Sequence, residues 1–233
     1  MNKWNIESVR NFVSELGYEL ITQEYKANKH PLILKTKEGY YCTTTLNGLT
    51  SKQNISIFHK ANPYTIQNIK LWCKINNKPF TLISEEYVGN KENLKWKCLK
   101  DECGEEFYGT WNAISRGNGC SFCAGKQIGE FNNLATKYPE LAKEWHSTKN
   151  GELTPYDVTC GVNKRVWWKC NKNSKHEWRA FISSRKDKGC PYCSGNLPSE
   201  DYNLVVCNPE LIQDWDYERN IKKPENYTIM MIN

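Results

Sequence analysis

The chain has 233 residues, 39% of them hydrophobic, and carries 32 Lys and Arg against 26 Asp and Glu for a net charge of +6. That length holds one large domain or several small ones. No stretch approaches the roughly 18 consecutive apolar residues of a membrane span, and the opening MNKWNIESVR lacks the apolar segment of a secretory leader, so the expected location is the cytoplasm. In that reducing compartment 11 cysteines point to metal ligands plus spare thiols rather than to a disulfide framework.

In chain order, residues 1–61 read as a first module and 62–129 as its copy. Ile6, Val9 and Phe12 recur as Ile66, Ile69 and Trp72, and Leu20, Tyr25, Asn28, Lys29 and Leu32 as Leu82, Tyr87, Asn90, Lys91 and Leu94. The spacing of Ile6, Val9, Phe12, Val13 and Leu16 predicts a short amphipathic helix that Gly17 ends, with strands after it. Further on, Thr36 falls where Cys98 stands, and Leu46 to Leu49 (LNGL) match Trp111 to Ile114 (WNAI).

The copy holds two ligand pairs, Cys98-x4-Cys103 and Cys120-x2-Cys123, with 16 residues between them. A hairpin tip and a following turn at that spacing converge on one tetrahedral zinc. A third module, 130–198, repeats the frame with Cys170-x5-His176 and Cys190-x2-Cys193; its long first gap leaves His146 or Cys160 as alternatives to His176. Two zinc ions per chain are expected, each with four protein ligands. Such sites have no open position for a reacting water, so they are structural. The first module has no cysteine pair in SKQNIS and reads as a degenerate, metal-free copy, held by packing against the second through the TIQNIKLWC helix. Cys42, Cys73, Cys160 and Cys207 lie outside the ligand sets; Cys73, at an apolar helical position, reads as a core residue and the other three as spare thiols.

A second repeat overlays Asn133, Leu134, Pro139, Leu141 and Trp145 on Asn203, Leu204, Pro209, Leu211 and Trp215. PELAKEW and PELIQDW predict short helices that each bury a tryptophan, with proline in the first turn. The first copy leads into VWWKC; the second reaches Asn233 without such a strand, so 199–233 reads as a partial repeat or an acidic helical segment. The expected fold class is α+β, a string of small zinc-dependent modules.

Charge is concentrated rather than spread: residues 160–195 sum to +7 and residues 196–233 to −4. Lys164, Arg165, Lys169, Arg179, Arg185, Lys186 and Lys188 are the candidate phosphate contacts, with Trp168 or Tyr192 to stack on bases. Salt dependence for about four to six phosphates follows. No catalytic residue is assigned. His30, His59, His146 and His176 are scattered, and the pairs Glu85-Glu86 and Glu105-Glu106 have no third carboxylate beside them.

The segment WWKCNKNSKHEW with GCPYCSG, preceded by NLATKYPELAKEWHSTKNGELTPYDVT, closely resembles the treble-clef zinc-finger repeat family, also described as a zinc-ribbon domain. The likeness covers residues 130–195 best, and residues 62–98 resemble a module that accompanies such fingers in phage and prophage proteins. It implies tandem treble-clef-like modules and zinc ligation by Cys170, His176, Cys190 and Cys193. Because fingers of this family are often appended to homing-type or very-short-patch-type nucleases, it also implies a DNA-targeting role. Two departures are visible: Lys175 replaces the usual glycine before the ligand histidine, and neither an H-N-H arrangement nor a GIY…YIG pair is present. The expected function is therefore non-catalytic nucleic-acid binding, DNA more than RNA. One alternative is a phage-encoded inhibitor or adaptor of a host nucleic-acid enzyme or defence system, anti-CRISPR-like or anti-restriction-like, using Glu200, Asp201, Glu210, Asp214, Asp216 and Glu218. The other is a truncated remnant of a homing-type endonuclease.

Overall fold

In the computed structural model, which describes residues 4–51 and 55–232, the amphipathic stretch after Asn5 is the helix its spacing predicts. Asn5 caps α1 (Ile6–Glu15): its side chain accepts from the Ser8 amide at 2.9 Å while the Ser8 hydroxyl accepts from the Asn5 amide at 2.9 Å. Two otherwise orphaned N–H groups are thereby satisfied. Val9 and Val13 face the core, and the chain turns away at Gly17, whose φ of +84° suits a residue without Cβ.

Three antiparallel strands follow in the order β1 (Glu19–Leu20), β2 (Pro31–Lys35) and β3 (Tyr41–Thr45), then α2 (Leu46–Thr50). The same succession returns as α3 (Thr65–Ile75), β4 (Phe80–Leu82), β5 (Asn93–Cys98), β6 (Glu106–Thr110) and α4 (Trp111–Ser115). Thr45 and Thr110 cap α2 and α4 identically, each accepting a backbone N–H at 3.1 Å. All of this lies in one unit, Met1–Gln127; the second unit is Ile128–Asn233. The SKQNIS stretch includes residues 52–54, which lie outside the described residues.

Within the first unit α3 also serves the first sheet. Asn68, fully buried, donates to the Tyr41 carbonyl at 2.6 Å and accepts from the Tyr41 amide at 2.9 Å; Asn62 donates to the same carbonyl at 2.9 Å. These groups belong to the edge strand β3 and would otherwise be unpaired.

The second unit contains α5 (Leu134–Lys137), α6 (Pro139–Ala142), the ribbon β7 (Arg165–Lys169) with β8 (Glu177–Phe181), and α7 (Leu204–Cys207). The predicted PELAKEW helix is a single turn, and its counterpart at Pro209–Ile212 is a 3-10 turn. Neither has a side-chain cap, and one turn cannot repay helix nucleation. Tertiary contacts hold them instead. Trp145 sits edge-on to Trp168 at 5.5 Å and donates to the Leu153 carbonyl at 3.1 Å. Trp215 packs 5.2 Å from Tyr227, and its buried Nε1 meets no acceptor.

The three hairpins share one core register. Leu34 faces Cys42, Trp96 faces Phe107 and Trp168 faces Trp178 across the strands, and all six are buried. Four residues beyond the second partner stand Leu46, Trp111 and Ile182; seven beyond it stand Leu49, Ile114 and Arg185, again buried. Among the described residues no helix is long and apolar enough to cross a membrane.

Candidate metal centres and the basic ribbon

β5 delivers Cys98 to the mouth of its hairpin, the turn over residues 99–104 delivers Cys103, and the turns after α4 deliver Cys120 and Cys123. Cys98 Sγ lies 3.7 Å from Cys123 Sγ, Cys103 Sγ lies 3.7 Å from Cys120 Sγ, and all four sulfurs fall within 4.8 Å of one another. A tetrahedral ion with Zn–S bonds of ~2.3 Å separates its sulfurs by ~3.8 Å. The donor set and its spacing therefore fit zinc. Thiols this close compete for negative charge. Burial pushes the Cys98 thiol up, but hydrogen bonds from the Lys100 amide and the neighbouring thiols carry it below its ordinary value; burial pushes Cys123 up to about 11 and Cys103 higher still. A divalent cation removes that competition by stabilising all four as thiolates.

The second cluster is built the same way on β7 and β8. Cys170 Sγ is 3.6 Å from Cys193 Sγ, and His176 Nδ1 is 3.6 Å from Cys190 Sγ and 3.5 Å from Cys193 Sγ. Zn–S and Zn–N bonds of ~2.3 and ~2.05 Å at a tetrahedral angle give an S···N separation of ~3.6 Å. His176 is thus the fourth donor. Of the sequence alternatives, His146 is occupied elsewhere: its Nδ1 accepts from the Thr148 and Lys149 amides at 3.3 and 3.2 Å, and its Nε2 lies 3.0 Å from Glu177 Oε1. Cys160 lies outside the cluster. Cys42 and Cys73 are core residues, 0% and 3% exposed, and burial pushes both thiols up to about 11.

The first hairpin shows what the cluster needs. Its closing bond runs from the Thr36 amide to the Tyr40 carbonyl at 2.8 Å, as Cys98 bonds Glu105 at 2.9 Å and Cys170 bonds His176 at 3.0 Å. Thr36 closes this hairpin where Cys98 and Cys170 close theirs, and Tyr40 stands where His176 does, so neither end offers a thiolate or an imidazole.

The basic residues divide on the structure. Trp168 is 0% exposed and donates to the Ala180 carbonyl at 3.3 Å, so it cannot stack on a base. Arg185 is 3% exposed and equally unable to reach a phosphate. Its guanidinium lies between the Trp168 and Trp178 rings, 5.1 and 4.9 Å from their centroids, and donates to Glu144 and to the Lys188 and Gly189 carbonyls. Both corrections follow from register: Trp168 and Arg185 hold the buried positions that Trp96 and Ile114 hold relative to the β5–β6 hairpin. Tyr192 is half-buried, 4.9 Å from the His176 ring, with its hydroxyl donating to the Glu177 carbonyl at 3.3 Å.

The alternate residues of the ribbon make its outer face: Arg165, Trp167 and Lys169 on β7, Phe181, Arg179 and Glu177 on β8. Trp167, which sequence reading passed over, is half-exposed with Lys149 Nζ 4.7 Å and Arg179 Cζ 5.9 Å from its ring centroid. Arg165 lies 4.9 Å over the Phe181 ring. Glu177 is the one acid of this face; Lys149 and then His146 hold its carboxyl below the usual range. Lys164, Lys186 and Lys188 are exposed around it, with Lys186 5.8 Å over the Tyr138 ring.

A family model described as a probable treble clef zinc finger domain matches residues 141–196, the segment that holds Cys170, His176, Cys190 and Cys193. No curated protein matches the chain.

Proposed function

We propose that the protein is a non-catalytic zinc-finger protein that binds nucleic acid, DNA in preference to RNA, through the outer face of the β7–β8 ribbon. The observation that carries this reading is Trp167, a half-exposed indole flanked by Lys149, Arg179 and the Arg165–Phe181 stack. An aromatic plane between cations supplies what a nucleic-acid strand needs, a surface for a base and charges for the phosphates on either side. The two clusters support a structural role for zinc, since four protein ligands leave no position for substrate or water. On this reading residues 1–61 are a copy of the second module that kept its element order and lost its metal. The likeness to phage and prophage fingers supports an origin in a phage or prophage, with the host cytoplasm as the site of action.

The test is anisotropy titration of labelled single- and double-stranded DNA and RNA across a salt series. Lys149, Arg165, Lys169 and Arg179 acting on phosphates give a slope of log K against log salt of about −3 to −4. Affinity that stays millimolar at low salt overturns the proposal. A protein partner is the second reading, favoured by apolar side chains exposed among the acids of the C-terminal segment: Val206, Tyr217 and Ile221 at 54%, 64% and 100%. Capture of a host protein that survives nuclease treatment, without direct nucleic-acid binding, selects it.

A further inference from the structure

The chain after each Cys-x2-Cys pair is a repeat, so IGEFNNL after Cys123 and PSEDYNL after Cys193 align residue by residue. Glu130 matches Glu200 and Asn133 matches Asn203, but Phe131 is replaced by Asp201. The two metal sites differ in one respect as well, since the first is all sulfur and the second contains an imidazole. A thiolate ligand has no second polar atom to place. An imidazole does, because the nitrogen away from the metal carries a proton that needs an acceptor. The carboxylate stands in the copy that needs one.

Asp201 Oδ1 lies 3.4 Å from His176 Nε2 and accepts from the Ser199 hydroxyl at 2.7 Å. Its Oδ2 accepts from Asn173 Nδ2 at 2.8 Å. Asn173 Nδ2 also lies 3.2 Å from His176 Nε2, but as a donor it cannot take the imidazole proton, which leaves Asp201 Oδ1 as the acceptor. Asn173 belongs to the turn that carries His176, and its Oδ1 accepts from the Lys175 amide at 3.0 Å. One carboxylate therefore holds both the ligand and its loop. The other knuckle is held from the same segment: Thr228 Oγ1 donates to the Gly195 carbonyl at 2.5 Å. Gly195 has φ of +74°, and a Cβ there would meet Tyr202 and Met230 at 3.1 Å.

We propose that residues 199–232 form the outer shell of the second zinc centre, with Asp201 a positioning residue that accepts the Nε2 proton of His176, presents Nδ1 to the metal and slows metal loss from that site alone. The acidic segment then has a defined task on its own finger. The inference rests on zinc filling the second cluster; a wild-type chain that binds no zinc overturns that reading before this one is reached.

The experiment uses the full chain loaded with zinc, a chromogenic chelator to follow release, and histidine-selective ¹⁵N spectra. Cys190→Ser assigns the release phase of the second site. Asp201→Ala is expected to speed that phase about 10- to 100-fold, to hasten exchange of the His176 Nε2 proton, and to leave the first site unchanged as an internal reference. Asp201→Asn, whose amide oxygen still accepts, should recover part of the loss. Asp201 is an exposed side chain, so the substitution leaves the core intact. Release rates within twofold of wild type, equal acceleration of both phases, or an unmoved His176 spectrum overturns the proposal.

Discussion

Replacing Arg185 with alanine is expected to cost the second unit about 3–5 kcal/mol, the range for removing one partner of a buried ion pair. The structure shows where that cost arises. The guanidinium lies over two tryptophan rings, at 5.1 and 4.9 Å, and desolvated cation–π contacts contribute up to about 2 kcal/mol each. Its loss leaves the Glu144 carboxylate, 19% exposed, without its cation and opens a void between Trp168 and Trp178. Replacing both charges removes the penalty, so Arg185→Ile with Glu144→Leu should recover most of the stability; isoleucine is the residue at the matching position, Ile114. Hydrogen-exchange mass spectrometry on peptides spanning residues 165–182 reads the effect locally in the zinc-loaded chain. A phosphate-contacting Arg185 behaves otherwise: its removal lowers the salt slope by about one and leaves protection unchanged. Protection within about 1 kcal/mol of wild type in Arg185→Ala refutes the reasoning.

The adjacent tryptophans separate fold from function. Trp168→Ala should cost about 3–5 kcal/mol of stability. Trp167→Ala should leave stability within about 1 kcal/mol yet weaken single-strand binding by about 1–3 kcal/mol; loss of stability in both with no effect on binding contradicts the assignment. The thiols buried at Cys42 and Cys73 predict an alkaline limb. Each is pushed up to about 11 from an ordinary value near 9. The folded chain therefore keeps protons that the unfolded chain loses, and stability present below pH 9 falls as pH rises toward 11. A rise of that size corresponds to at most about 3 kcal/mol per thiol. Denaturant unfolding at pH 8 and pH 10.5 should show a smaller loss in Cys42→Val than in wild type; identical losses count against the burial argument.

The parts of the site legible in the sequence are those fixed by local chemistry. Cysteine spacing picks out both clusters because a zinc ion accepts few donor sets and a short loop fixes which donors meet; His176 over His146 and Cys160 is settled only where the fold gathers the donors. The helix over Ile6–Glu15 is equally local, set by apolar spacing and one glycine. What failed to show depends on register. In VWWKC either tryptophan looks available, and only pairing with β8 sends Trp168 inward and Trp167 outward. The signal was nevertheless present, since LKWKC places Trp96 at the inward position and WNAI, read against ISSR, places Arg185 on a core isoleucine. A sum of charges cannot see that. The places of Lys149 over Trp167 and of Asp201 beside His176 were out of reach for another reason: each contact joins segments distant in sequence that only the fold brings together.

The zinc content of single-cluster variants tests the architecture most directly. Native mass spectrometry of the full chain is expected to show two zinc ions in wild type, one in Cys98→Ser and one in Cys190→Ser, each substitution emptying its own cluster. A wild-type chain without zinc, or a single substitution that abolishes both ions, contradicts two independent closed sites.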